Sequence, residues 1–363
     1  MAEMHTCSIC RDEWEEMESF DGQDLCDNCF ESETNVCDCC ENRVWVDDIH
    51  SDGNIRVCDN CYSNSYNNCY RCSCIVSNDN SYYEEDSDDP YCYQCYQQLE
   101  EERVINNYNY KPSPIFHGEG EFFYGAELEI DDGGEDQNNA RKILNVANND
   151  SEHIYIKHDS SLDSGFEIVT HPMTLGYHAD SMPWKDILQN AIAMGYRSHQ
   201  SGTCGLHVHV CRSALGKTEQ AQEETIARVL FFVEKFWDQM LKFSRRSEEQ
   251  INRWAARYGL KNTPSQTLQD AKDKQLGRHV CINLENSNTI EFRIYRGTLK
   301  LETLLATLQM TDTICNVALS MSDEVFQNLS WNGFTKCISE DKQELINYLK
   351  YRKIYTIITG DEN

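Results

Sequence analysis

GAELEI (residues 125–130), GLHVHVC (205–211) and TIEFRIYR (289–296) alternate apolar and polar side chains with a period of two. A β-strand sends successive side chains to opposite faces, so each segment reads as a strand with one apolar and one polar side. Ala126, Leu128 and Ile130 point one way, while Glu127, Glu129 and the following Asp131 point the other. Likewise Leu206, Val208 and Val210 oppose His207, His209 and Cys211, and Ile290, Phe292 and Ile294 oppose Glu291, Arg293 and Tyr295. IYIKHD (154–159) and GFEIVTHP (165–172) add two less regular strands, with Asp159 and Glu167 near their ends. Segments with apolar residues at helical spacing separate them: DQNNARKILNVAN, WKDILQNAIAMG, ETIARVLFFVEKFWDQMLKF, KLETLLATLQMTDTICNVALSM and the C-terminal ELINYLKYRKIYTII. Their aromatic and methionine content reads as core. The fold expected is α+β, an antiparallel sheet with helices packed on its apolar face.

The other face would hold acids, histidines and arginines. A half-exposed sheet is ordinarily polar on its wet side, so one E-x-E or H-x-H says little. An H-x-H strand does place two imidazoles on one face, about 7 Å apart by strand rise. Two acids on one strand, two histidines on another and E-x-R on a third form a more specific set. Carboxylates are the hard ligands that magnesium and manganese prefer, and the arginine fork matches phosphate. The combination points to metal plus nucleotide phosphate. No G-x-x-x-x-G-K-[ST] loop is present, which counts against a P-loop enzyme, and no Ser/His/Asp or Cys/His nucleophile signature stands out. Cys204 and Cys211 flank the histidines, so a Cys/His zinc site competes; the E-x-E on a separate strand disfavours it.

The chain has 363 residues, long enough for two or three domains, with 61 acidic against 32 basic residues and a net charge of −29. Such acidity argues against nucleic acid as a partner. No apolar run reaches membrane-span length and the N-terminus lacks a signal-peptide stretch, so a soluble, cytoplasmic protein is expected. Fourteen of the 19 cysteines precede residue 96, and residues 1–103 carry a net −21 against −8 for the remainder.

The front cysteines form C-x2-C pairs: Cys7/Cys10, Cys26/Cys29, Cys37/Cys40, Cys58/Cys61, Cys69/Cys72 and Cys92/Cys95. Gaps of 15, 17 and 19 residues alternate with gaps of 7, a period of about thirty, with Trp14 and Trp45 at nearly matching places. Two such knuckles supply the four thiolates of a closed tetrahedral zinc site. Three tandem zinc ribbons over residues 1–98 follow, then a linker over 99–117 and a catalytic-type domain over 118–363. A RING-type cross-brace would need closer second and third pairs, and disulfides an oxidising compartment. Cys39 and Cys74 are left over. Each four-thiolate site carries −2 after zinc binds, so the front suits recognition of a basic peptide or protein, or scaffolding. YYEEDSDDP (82–90) reads as a solvated acidic loop.

GAELEI, KHDSSL, FEIVTHP, SGTCGLHVHV and TIEFRIYRGTL, in this order, resemble the amidoligase family of glutamine synthetase-like carboxylate–amine ligases over roughly residues 120 to 330. Ser160 stands where the family pattern has glycine. The resemblance implies a glutamine synthetase-like fold and a reaction in which a carboxylate attacks the γ-phosphate of ATP, giving an acyl phosphate that an amine converts to an amide. It implies that Glu127, Glu129, Glu167, His207 and Glu291 ligate two or three Mg²⁺ or Mn²⁺ ions and that His209 contacts the nucleotide. Arg293 would neutralise the migrating phosphoryl group, Arg296 bind phosphate or a substrate carboxylate, and Asp159 bind the amine or a metal. Members often look like phage or mobile-element proteins, so a host protein is among the targets implied. Two other functions compete: a non-catalytic zinc-ribbon scaffold, and a metal-dependent amidohydrolase using the same carboxylates and histidines.

Overall fold

The computed structural model describes residues 4–84, 87–274 and 277–355. Glu85 and Asp86 of the acidic loop and the end of the C-terminal helical segment lie outside them. Contacts divide the chain into two units, Met1–Arg103 and Val104–Asn363.

The first unit repeats one pattern three times. A C-x2-C knuckle is followed by a short antiparallel pairing, and the second knuckle opens a helix: Cys26 caps Asp27–Glu33, Cys58 caps Asp59–Ser65 and Cys92 caps Tyr93–Glu102. Hairpins Glu18–Phe20/Gln23–Leu25 and Ile49–Ser51/Arg56–Cys58 bring the knuckles of the first two repeats together, while the third uses a single bridge, Tyr82 to Tyr91. The residue after each first knuckle, Arg11, Glu41 and Ser73, has left-handed backbone with φ of 70°, 61° and 60°. The same turn is thus built three times without glycine. Part of the segment expected as linker is regular: Tyr93–Glu102 runs helical past residue 98, and Ile105–Asn106 is a strand.

The second unit holds a seven-stranded sheet in the order Ile105–Asn106, Ile154–Lys157, Phe166–Thr170, Tyr124–Ile130, Leu206–Cys211, Thr289–Phe292, Ile282–Asn283. The antiparallel expectation holds for every strand pair except the edge pair Ile105–Asn106 and Ile154–Lys157, which is parallel. The fold is α+β. Ala126, Leu128, Ile130, Leu206, Val208, Val210, Ile290 and Phe292 are fully buried and join one core with the helices. The Leu301–Ser320 helix packs on the Leu206–Cys211 strand and against the Glu219–Lys235 and Gln343–Tyr351 helices.

Two expectations need correction. ETIARVLFFVEKFWDQMLKF is two helices, Glu219–Lys235 and Trp237–Ser244, because Phe236 leaves helical geometry at φ −104°, ψ 33°. Tyr295 is not on the polar face: the strand ends at Phe292, and the Tyr295 ring turns into the core, stacked on Phe292 at 6.2 Å with its hydroxyl against Thr311.

Candidate active site

Strand register builds the site. Residues paired across neighbouring strands share a face, so one polar residue fixes the others. Lys157 pairs with Glu167 and Glu167 with Glu129, on three adjacent strands. Glu127, two residues before Glu129, pairs with His207 on the fourth, and His209 pairs with Glu291, itself opposite Asn283. The polar residues of six neighbouring strands therefore converge on one open cavity of about 630 Å³. Glu127, Glu129, Asp159, Glu167, His207, His209, Glu291 and Arg293 all line it.

At its centre, His207 Nδ1 lies 3.4 Å from Glu127 Oε2 and 3.5 Å from Glu291 Oε1, and Nε2 lies 3.6 Å from Glu129 Oε1. Two donor sets share this imidazole: Glu127/His207/Glu291, and Glu129/Glu167/His207. Glu129 also accepts the Gly205 backbone N–H. A Cβ on Gly205 would sit 2.5 Å from His207 Nε2, so glycine is what lets the imidazole lie against the backbone. His209 Nε2 stands 3.0 Å from Glu127 Oε1. Arg293 donates to Glu291, whose other oxygen accepts from Asn283 at 2.9 Å.

The electrostatics of the two outer carboxylates differ. Burial would raise the Glu127 carboxyl, but the adjacent His209 and His207 hold it well below its usual range. Glu167 goes the other way: burial first, then the Glu127 charge, raise it well above, although Lys157 Nζ is 3.2 Å away. Burial opposes the charge on His209, yet Glu127 beside it keeps that imidazole raised. Glu291 is lowered, its burial offset first by His209, and Arg293 stays firmly charged beside it.

Asp159 lies on the loop after the Ile154–Lys157 strand and accepts the Ser161 N–H at 2.7 Å. Ser160, where the family pattern has glycine, is not in the left-handed region, so its side chain costs the turn nothing. Arg296 does not line this cavity; its Nη1 donates to the Arg245 carbonyl at 3.3 Å. Asp131 is sealed beneath the rim, accepting from Ser164, Asp163 and Thr203, and acts as a loop anchor. Sequence reasoning passed over Lys157, Arg246, Arg278, His279, Trp254 and Tyr108, all of which line the cavity. Lys157 was findable, since it occupies the polar side of its strand; Trp254 ends the short helix Glu248–Trp254, and the others sit on irregular segments where no periodicity marks them.

The centre offers carboxylates with one imidazole and no thiolate, a hard donor set that fits magnesium or manganese. Neither Cys204 nor Cys211 enters a donor cluster among the described residues, which removes the support for a Cys/His zinc site there. The three front tetrads fit zinc on geometry. Thiolates about 2.3 Å from zinc have sulfur–sulfur edges of about 3.8 Å, and Cys10–Cys26, Cys40–Cys58 and Cys72–Cys92 are 3.8, 3.9 and 3.8 Å apart. Backbone N–H groups already serve the sulfurs: Cys26 N donates to Cys7 at 3.4 Å and Cys58 N to Cys37 at 3.3 Å. Burial would raise these thiols, but the N–H donors bring Cys7 and Cys37 down to about 6. No helix among the described residues is long and apolar enough to cross a membrane.

No curated protein matches the chain. Among solved structures, a bifunctional glutathione synthetase from Pasteurella multocida aligns at 12% identity and a TM-score of 0.30, over 64% of this chain and 44% of its own length. The chain thus spans under half of that protein, and the likeness is too slight to define a fold. Residues 144–315 match the model of a family described as "Putative amidoligase enzyme". Glu127 and Glu129 precede that stretch, while Asp159, Glu167, His207, His209, Glu291 and Arg293 fall within it. The part of the chain that supplies most of this cavity, residues 144–315, is therefore amidoligase-like.

Proposed function

We propose that the second unit is an ATP-dependent carboxylate–amine ligase working through an acyl phosphate. The observation that carries the reading is the convergence of Glu127, Glu129, Glu167 and Glu291 around His207, with Arg293 and Lys157 in the same open cavity. Glu127, Glu129, Glu167, His207 and Glu291 would hold two or three magnesium or manganese ions, whose charge would offset that of the ATP phosphates. Arg293 and Lys157 place fixed positive charge where the γ-phosphoryl group transfers. A substrate carboxylate oxygen attacks the γ-phosphorus, and the bond to ADP breaks. An amine then adds to the acyl carbon, inorganic phosphate leaves, and the amine loses a proton, for which Asp159 is the carboxylate on the rim. His209, facing the same cavity, would contact the nucleotide. No protein nucleophile is needed; the chain contributes position and charge.

The acidic ribbon unit would recruit the peptide or protein that carries one of the two reacting groups, its charge favouring a basic partner. The direct test is ADP and phosphate release with Mg²⁺ or Mn²⁺ that depends on an amine acceptor. Glu129→Ala and Arg293→Ala should each lower the rate by about a hundredfold or more, the usual cost of losing one charge-stabilising group. Undiminished release in both variants would refute the site. Intact-mass comparison of lysate proteins exposed to wild type and to Glu129→Ala would identify the substrates, as an adduct equal to two known molecules less one water.

A further inference from the structure

Behind the ligase cavity lies a group of cations without carboxylate partners. Arg245 ends the Trp237–Ser244 helix in left-handed backbone, φ 63°, and its Nε and Nη2 are buried with no hydrogen-bond partner. Those two nitrogens form one edge of the guanidinium, the edge that grips an oxyanion with two parallel N–H bonds. Arg296 donates through Nη1 to the Arg245 carbonyl, and its Nε is likewise buried without a partner. Arg246, 5% exposed, is spent on the Tyr295 carbonyl through Nε and Nη2 at 3.3 and 3.1 Å. His199 stands close enough to feel the charges of Arg245, Arg296 and Lys300.

Among the described residues, none of Arg245, Arg246, Arg296 and Lys300 forms an ion pair, in a chain where acids outnumber bases 61 to 32. So much clustered positive charge, part of it desolvated, is costly unless an anion arrives to complete it. Arg245 and Arg246 line a second, shallower cavity of about 480 Å³ in which Asp238 is the one acid, and Arg246 also lines the ligase cavity. The two cavities thus share a wall. Consistent with crowding, burial and then the neighbouring Arg245 lower the Arg296 guanidinium, and burial lowers Arg246 to about 10.

We propose that Arg245 and Arg296, backed by Arg246 and edged by His199 and Lys300, form an oxyanion-binding site. It takes a carboxylate or phosphate group borne by a substrate whose reacting end lies in the ligase cavity. The substrate assignment rests on the ligase reading; the binding of an oxyanion does not. The cluster therefore selects a substrate with a second anionic group, a diacid or a phosphorylated acid, over a simple monocarboxylate.

Calorimetry on the full chain tests this with inorganic phosphate and with glutarate, no divalent ion being added beyond the protein's own zinc. Wild type should bind at least one probe, and Arg245→Gln and Arg296→Gln should each weaken binding roughly tenfold or more, the scale of one lost charged hydrogen bond. Arg245→Lys keeps the charge but loses the two-donor edge, so it should weaken binding too; it serves if the glutamine variant fails to fold by circular dichroism. Tighter phosphate binding assigns the site to a phosphoryl group and tighter glutarate binding to a carboxylate. No binding to wild type, equal binding to the variants, or loss only in Arg293→Gln would overturn the proposal. ADP release is measured in parallel: oxyanion binding that depends on Arg245 without any ADP release would leave the site standing and count against the ligase.

Discussion

At the level of single residues, this protein separates histidines by what faces their two nitrogens. His207 and His209 face carboxylates, whereas His178, fully buried, lies with Nε2 3.0 Å from the Tyr124 carbonyl and Nδ1 3.4 Å from the Trp184 indole N–H. One nitrogen must donate and the other accept, which fixes the neutral ring. Burial accordingly lowers His178 from 6.5 to about 4. The unfolded chain takes up this proton first as pH falls, so the stability contribution is complete above the unfolded value of 6.5 and erodes down to about 4. The loss amounts to at most about 3 kcal/mol. Urea unfolding should therefore show a smaller fall in stability between pH 7 and 4.5 for His178→Gln than for wild type; parallel slopes would contradict the neutral burial. Gly205 illustrates the opposite economy, a missing side chain that decides where His207 can stand.

At the level of elements, the polar face was legible because strand alternation is a local signal that register merely extends. GAELEI, GLHVHVC and the start of TIEFRIYR place their side chains as the period of two requires. The signal misleads once a strand stops: alternation continues through Tyr295 in the sequence, but pairing ends at Phe292. Apolar spacing likewise runs unbroken across Phe236, so nothing local announced two helices. Arg245 and Arg246 follow a helix end, and only the tertiary fold gives them neighbours. The same holds for the buried network tying the central strand to the Leu301–Ser320 helix: Tyr124 Oη and Lys342 Nζ both donate to Asp312. Removing that carboxylate strands a lysine whose side chain is 12% exposed. Asp312→Ala should cost about 3 kcal/mol, and Asp312→Ala with Lys342→Met should recover much of it. Additive losses in the double variant would show that the pair is not coupled.

At the level of the whole molecule, the division seen in composition is matched by a division of candidate metal ligands. Thiolate sets occupy Met1–Arg103 and carboxylate sets the remainder. Metal analysis should return three zinc ions per chain, and a strong zinc chelator should open residues up to Arg103 to proteolysis while the sheet unit stays protected. Simultaneous digestion of both units would contradict their independence. The acidic excess also belongs to the first unit, net −21 against −8. One further consequence follows from His207 standing between two carboxylate sets. A neutral imidazole has a single lone pair to give, and its other nitrogen carries hydrogen. Two hard ions in this cavity cannot both be nitrogen-bound through it. Bound to these two sets, such ions would be inequivalent, one taking the histidine nitrogen and the other only oxygens, and would differ in affinity.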